Sequence, residues 1–346
     1  MTPRKRPPPR KRKLKTSLKD LLATAEREKK RAKIEAQKEA AIEQHKQIHA
    51  PVKPDYVAID RILLVGEGNF SFARSLAENY FDGDASRIVA TSFDKPEVMR
   101  EKYSEEGTEN VEAFKSMDGT VLFGIDATRL NKYKKLKGHY FTKIIFNFPH
   151  HGLGIKDQDH NVRANQLLLK NFWAAAKPLL AEEGRKYRIP RKEKKEDEQV
   201  EEDEEEEEEE GPEIEEETLA EGEIHVTVKT CAPYHLWDVK KLAKTTGDFA
   251  IKTTLAFHPS FYPGYEHRRT LGFKTGVSKG GNEEILASQP KTFIIVRKEA
   301  MAEEREKARI GAIERKKDRQ REKLLTKKKK NKRVKKDEDE DDNDDE

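Results

Sequence analysis

From Tyr56 to Arg297 short apolar runs alternate with stretches of helical period, while both ends and one internal stretch carry almost no apolar periodicity. The apolar runs predict strands at Arg61–Val65, Ile88–Ser92, Val121–Ile125, Lys143–Phe146, Glu223–Lys229, Ile251–Ala256 and Thr292–Arg297. Between them, helical spacing predicts Ser71–Tyr80, Pro96–Tyr103, Val162–Leu180 and Leu236–Lys244. Strands alternating with helices place the chain in the α/β class, with a seven-stranded, doubly wound sheet. The segment His258–Lys291 carries little pattern of either kind, and loops that long in a compact domain are functional or disordered.

Charge separates the rest from this domain. Lys and Arg number 70 against 66 Asp and Glu, a near balance that hides strong local imbalances. Residues 1–50 hold 16 basic against 6 acidic side chains, and residues 301–336 hold 17 against 6. Residues 185–222 hold 7 basic against 19 acidic, and nine of the last ten residues are acids. Such segments are too polar to offset the entropy of folding, so disorder or isolated helix is expected there. Three parts follow: a basic arm at 1–54 with a solvated helix opened by Ser17 and Asp20, a domain at 55–298, and a charged tail at 299–346. Helix-compatible sequence in that tail runs from Ala300 to Leu325. Excising 185–222 joins LLAEEG to EIHVTVKT, a helix end, a glycine turn and a strand, so the acidic block reads as an insertion in a turn.

The same composition excludes several classes. A single cysteine, Cys231, rules out a disulfide framework and fits a reducing compartment. No apolar run approaches the roughly 20 residues of a membrane span, so a soluble, membrane-free intracellular monomer is expected. Lysine-rich clusters at both ends suit polyanion binding and point to the nucleus.

Candidate chemistry begins after the first strand, in Val65-Gly66-Glu67-Gly68-Asn69-Phe70-Ser71. A G-x-G turn there lets backbone approach a nucleotide, with the next helix N-terminus aimed at it. Gly66, Glu67, Gly68, Asn69 and Phe70 are therefore cofactor candidates. Strand two ends at Asp94, where an acid can hold both ribose hydroxyls, and strand three at Asp126, placed to accept from an adenine amino group. Either acid can instead be a helix N-cap. Strand four ends with Asn147-Phe148-Pro149-His150. In an open α/β sheet these four strand ends line one crevice. A dinucleotide site would want a third glycine where Ser71 stands.

This order of motifs resembles the class I S-adenosylmethionine-dependent methyltransferases, with one departure: the acid usual two residues before the first glycine is replaced by Leu64. More closely, LLVGEGNFSFARSLA, NFPHHG, EIHVTVKT and FYPGYEHRRTLG resemble the eukaryotic 25S rRNA (uridine-N3)-methyltransferase family, over about Arg61 to Arg297. The resemblance implies a Rossmann-like fold, S-adenosyl-L-methionine as cofactor and a large-subunit rRNA precursor as substrate. It also implies work beside pre-ribosomal proteins in the nucleolus.

Methylation of an imide nitrogen needs its proton removed while the ring is held in place. Asn147 can donate to a uracil carbonyl or accept from its N–H, and Phe148 can stack on an extracted base. His150 and His151 are the nearest bases, or else rings filling a turn before Gly152, with Asp157 and Asp159 as further options. Tyr262, Tyr265, His267, Arg268 and Arg269 interleave aromatics with fixed charge, which suits unstacked bases and phosphates. The competing reading is a loop packed on the core. A catalytically silent RNA-binding assembly factor with the same fold remains the alternative to an enzyme, and an NAD-dependent oxidoreductase a third.

Overall fold

The structure, a computed structural model, describes residues 52–152, 154–155, 157–188, 216–269 and 281–341. The basic arm with Ser17 and Asp20, the acidic run 201–210 and residues 342–346 of the acidic terminus lie outside the described residues.

Among the described residues nine strands occur in chain order: β1 (Ile62–Val65), β2 (Ile88–Thr91), β3 (Thr120–Leu122), β4 (Lys143–Asn147), β5 (Lys186–Arg188), β6 (Glu216–Thr218), β7 (Glu223–Val228), β8 (Phe249–Ala256) and β9 (Lys291–Arg297). Six helices accompany them: α1 (Ser71–Tyr80), α2 (Pro96–Ser116), α3 (Gln158–Ala176), α4 (Val239–Thr245), α5 (Gly281–Ala287) and α6 (Lys298–Asp341). Seven strands form one sheet in the order β3-β2-β1-β4-β7-β9-β8. Pairing is parallel from β3 through β7, then antiparallel at β7–β9 and β9–β8. This is the seven-stranded doubly wound sheet expected from the pattern, and it is Rossmann-like.

The sheet is buried on both faces, which is why its strands read as unbroken apolar runs. Period two sends Ile62, Leu64, Ile88, Ala90 and Ile145 to the face packed with residues of α1 and α2. It sends Leu63, Val65, Ile144, Phe146, Ile224 and Val226 to the face packed with residues of α3 and α4. Each fully buried side chain of this size contributes about 1.5–3 kcal/mol, so both faces hold the same frame. From β1 the chain winds outward through β2 and β3, then returns to β4 on the other side of β1. The switch point therefore lies between β1 and β4, and its carboxyl-end crevice is where such sheets bind ligands.

Element ends differ from the pattern for identifiable reasons. The second predicted helix stops at Tyr103, and the backbone does break there, at Ser104 (φ 52, ψ −141), before helical structure resumes to Ser116. Helix α3 starts earlier than predicted because the Asp157 carboxylate caps it, accepting from His160 N at 2.7 Å. The final helix begins at Lys298 and runs 44 residues, roughly 66 Å at 1.5 Å per residue.

The acidic insertion is narrower than 185–222. Strands β5 and β6 pair antiparallel, Lys186 opposite Thr218 and Arg188 opposite Glu216. Tyr187 and Leu219 are buried against Ala181, and the Arg61 guanidinium lies 3.9 Å above the Tyr187 ring. Arg87 reaches Glu217 at 2.6 Å, and Arg297 reaches Glu221 at 2.8 Å. The domain thus extends into both flanks of the block. Among the described residues no helix is long and apolar enough to cross a membrane.

Candidate active site

The turn after β1 is shaped by two glycines. Gly66 has φ +71°, and a Cβ there would lie 2.6 Å from the Phe146 ring; one on Gly68 would lie 2.9 Å from the Tyr103 hydroxyl. Only glycine fits this turn, which leaves bare backbone facing the crevice. The other three residues assigned to the cofactor point elsewhere. Burial pushes the Glu67 carboxyl up to about 7, and its Oε2 lies 3.4 Å from Ala73 N, behind the turn. Asn69 donates to Glu106 Oε1 at 2.7 Å and accepts from the Ser71 hydroxyl at 2.9 Å, so both ends of its amide are engaged. Phe70 is fully buried in a left-handed conformation, φ 57°. These side chains build the turn, and the glycine backbone presents it.

At the end of β2 the Asp94 carboxylate, 17% exposed, accepts from Lys102 Nζ at 2.8 and 2.9 Å. Its backbone carbonyl accepts from Gly124 N, which ties the ends of β2 and β3 together. Asp126 does take the capping role: Oδ1 accepts from Thr128 N at 2.8 Å and Thr128 Oγ1 at 2.7 Å, leaving Oδ2. Beside Asp94 stands Phe93, 70% exposed. Its ring is a missed candidate for stacking on a nucleobase; an aromatic next to the strand-end acid was the signal.

At the end of β4 the Asn147 Nδ2 is buried without a hydrogen-bond partner. A buried amide left unpaired costs about 1–3 kcal/mol, so a ligand or water is owed to it. Asn147, His225 and Thr227 line a small space of about 10 Å³ on the β7 side of β4, room for about one water. The next residue, Phe148, has φ 50°, a left-handed conformation that costs a non-glycine residue about 1–3 kcal/mol and clusters at functional sites. Its ring packs 4.6 Å from His267 and 5.4 Å from Phe257, so one side is covered by protein.

The two histidines divide. His150 Nδ1 accepts from Gly152 N at 3.0 Å, which is the turn-filling alternative, while Nε2 remains. Burial, with help from His151 and Lys229, lowers its pKa, so at neutral pH the ring is uncharged, and with Nδ1 accepting, Nε2 carries the proton and is a donor. His151 is exposed, and its amide donates to Asn165 Oδ1 at 2.9 Å. Asp157 is spent as the α3 cap; Asp159 is exposed in the first turn.

The loop after β8 corrects the expectation of base stacking there. Tyr262 is 3% exposed and Tyr265 7%, packed with Phe72 and Phe257; neither ring offers a face to a base. His267 is held near 4 by burial, hence neutral, and touches Phe148. Arg268 is bound to Glu106 and Glu266 at 2.7 and 2.5 Å. Arg269, more than half exposed, pairs with Glu284 at 2.7 Å. The core-packing alternative accounts for four of the five residues.

Glycine backbone after β1 and an acid after β2, beside one switch point, form a cradle suited to a nucleoside cofactor. A family described as rRNA (uridine-N3-)-methyltransferase BTM5-like matches residues 63–269. The chain belongs to this family. It is 31% identical over 232 residues to the 25S rRNA (uridine(2634)-N(3))-methyltransferase of Saccharomyces cerevisiae, covering 61% of this chain and 66% of that protein. It is 32% identical over 218 residues to the heavy metal-associated isoprenylated plant protein 41 of Arabidopsis thaliana, covering 63% and 34%. It is 36% identical over 125 residues to the human ferredoxin-fold anticodon-binding domain-containing protein 1, covering 36% and 18%. The chain thus spans about a third of the plant relative's length. Members of this BTM5-like family share with it the stretch from β1 to the loop after β8, the stretch that holds the crevice.

Proposed function

We propose that this chain is an S-adenosylmethionine-dependent methyltransferase acting on N3 of a uridine in large-subunit rRNA during ribosome biogenesis in the nucleolus. The observation that carries the reading is the turn after β1, where Gly66, at φ +71°, and Gly68 leave bare backbone at the switch point. Gly66 and Gly68 would hold the cofactor through backbone, Asp94 its ribose hydroxyls, and Asp126 Oδ2 with Phe93 its adenine. Bound there, the cofactor supplies a methyl group on a positively charged sulfur.

The chain's own residues do the rest. Asn147, half-buried at the end of β4, stands where the imide edge of the extracted base is to be fixed as negative charge grows on it. His150 Nδ1 accepts from Gly152 N, so its neutral ring carries the proton on Nε2 and donates from there to a ring carbonyl, while His151, the other base of this loop, takes the N3 proton. The strained backbone at Phe148 holds this loop in one conformation, so orientation precedes chemistry. The free face of Phe148 carries the base.

Tritiated methyl transfer from S-adenosylmethionine to unmodified rRNA tests the reading, with Asn147→Ala and Asp94→Ala expected to abolish incorporation. Absence of transfer by the unaltered protein, on both naked rRNA and pre-ribosomal particles, would favour a silent assembly factor. The leucine at position 64, fully buried where the superfamily carries an acid, is the observation on that side.

A further inference from the structure

Outside the crevice, α3 has a second face. His160, Arg163, Ala164, Leu167, Leu168 and Asn171 recur at helical spacing along it, opposite the buried Asn165, Leu169, Phe172 and Trp173. With His151 and Ile155 of the loop leaving β4, and with Thr128, they enclose an open groove of about 750 Å³. That volume is in the ~300–1,000 Å³ range of pockets that take small organic groups. Its floor is apolar and uncovered, Leu167 being 58% exposed. Arg163 has no ion pair among the described residues.

Thr128 belongs to a 3₁₀ turn, Ala127–Lys132, that packs on α3 and continues into a second, Lys134–Leu136. The stretch 127–137 reads ATRLNKYKKLK, with five basic side chains and no acid. Arg129, Lys132, Lys134, Lys135 and Lys137 are all exposed and make no ion pair among the described residues. A row of uncompensated cations beside an apolar trough complements a chain of phosphates with bases turned inward.

We infer that this groove seats the single-stranded RNA flanking the target nucleotide. This inference rests on the proposed methyl transfer to RNA. Arg163 and the 129–137 ridge neutralise phosphates, and a neighbouring base lies on Leu167 between the His151 and His160 rings, since flipped or unstacked bases are held by apolar and aromatic side chains. The position serves the chemistry. His151 lines the groove, and four residues earlier Asn147 closes β4, so a strand in the groove delivers its next base to the crevice.

Two measurements on the full-length chain test this. Short uridine-rich RNA carrying 4-thiouridine is photo-crosslinked and the attached peptides are identified; crosslinks within 151–171 are expected. Arg163→Glu, and separately Lys132→Glu with Lys134→Glu and Lys135→Glu, should weaken RNA binding on the order of ten-fold. The triple variant should also lower the salt slope of binding by about 2, at roughly 0.7 per phosphate on single strands. Unchanged melting temperatures would show that these exposed changes leave the fold intact. Crosslinks confined to the tails or to 258–269, with affinity of both variants within two-fold of the parent, would overturn the inference. Crosslinking and binding need no methyl transfer. Crosslinks in the groove from a protein that never methylates would fail the functional reading and leave the groove standing. An active enzyme indifferent to Arg163 and the ridge would do the reverse.

Discussion

Glu106 Oε2 accepts from Arg268 at 2.7 Å while its Oε1 accepts from Asn69, so one carboxylate ties the glycine turn to the loop after β8. Arg268 is 14% exposed on its side chain, and the pair is shielded enough to matter. Arg268→Ala should therefore lower stability by about 1–3 kcal/mol, through the groups left unpaired. Arg269→Ala, whose side chain is 56% exposed, should change it by less than about 0.5 kcal/mol. Denaturant titration of both variants decides this. An Arg268 variant as stable as the parent but weakened in RNA binding would return that arginine to the substrate.

Asp94→Ala should abolish the thermal stabilisation given by S-adenosylhomocysteine. A ligand at 100 times its dissociation constant contributes about 2.7 kcal/mol to the folded state, a readily measured shift. Removing the carboxylate takes away the ribose contact and leaves Lys102 without its partner. A full-sized shift in the variant would place the nucleoside elsewhere.

Burial holds the Glu67 carboxyl at about 7, whereas an unfolded glutamate titrates near about 4.3. Between those values the folded protein keeps a proton that the unfolded chain has released. Stability from this group is thus fully present below about pH 4.3 and is lost as pH rises through 7. Glu67→Gln should stabilise the protein by on the order of 3 kcal/mol at pH 8 and far less at pH 5. Unfolding free energies at both values give the answer; a difference independent of pH would mean that Glu67 is not the titrating group.

Removal of 189–215 should leave folding and cofactor affinity intact, because β5 and β6 remain to be rejoined and loop closure depends weakly on length. Removal of all of 185–222 should not. It takes away Tyr187 and Leu219 from a buried cluster, and the Glu217 and Glu221 partners of Arg87 and Arg297. Circular dichroism melts of the two deletions, side by side, separate the outcomes. Equal stability would mean the hairpin contributes nothing.

The basic ends should supply most nonspecific RNA affinity through counterion release. Since Met301 is buried at the start of α6, a core of 51–310 is the fragment to compare, rather than one ending at 300. It should bind rRNA more weakly and with a flatter salt dependence, while methylation at saturating RNA survives. Equal affinity and slope for fragment and full chain would make the ends addresses only.

The fold was legible because it depends on periodicities that a linear chain displays. Unbroken apolar runs such as Ile62–Val65 and Lys143–Phe146, separated by helical spacing, specify a sheet covered on both faces, and all seven predicted strands lie in it. The G-x-G turn and the strand-end residues Asp94 and Asn147 were legible for the same reason: a strand end is a position in sequence, and parallel pairing brings such ends together. What a side chain does once placed is another matter, because burial and partners come from residues far along the chain. Tyr262 and Tyr265 looked like base-stacking residues until Phe72 and Phe257 covered them. Arg268 looked like a free cation, and Glu106, 162 positions away, binds it. Asp126 was equally a ligand or a cap in sequence, and the 3₁₀ turn at Ala127 made it a cap. Conversely the basic run at 129–137 carries no pattern that assigns it a role in the sequence. Only the packing of its turn on α3 set that run beside a groove, which Thr128 and the helix line.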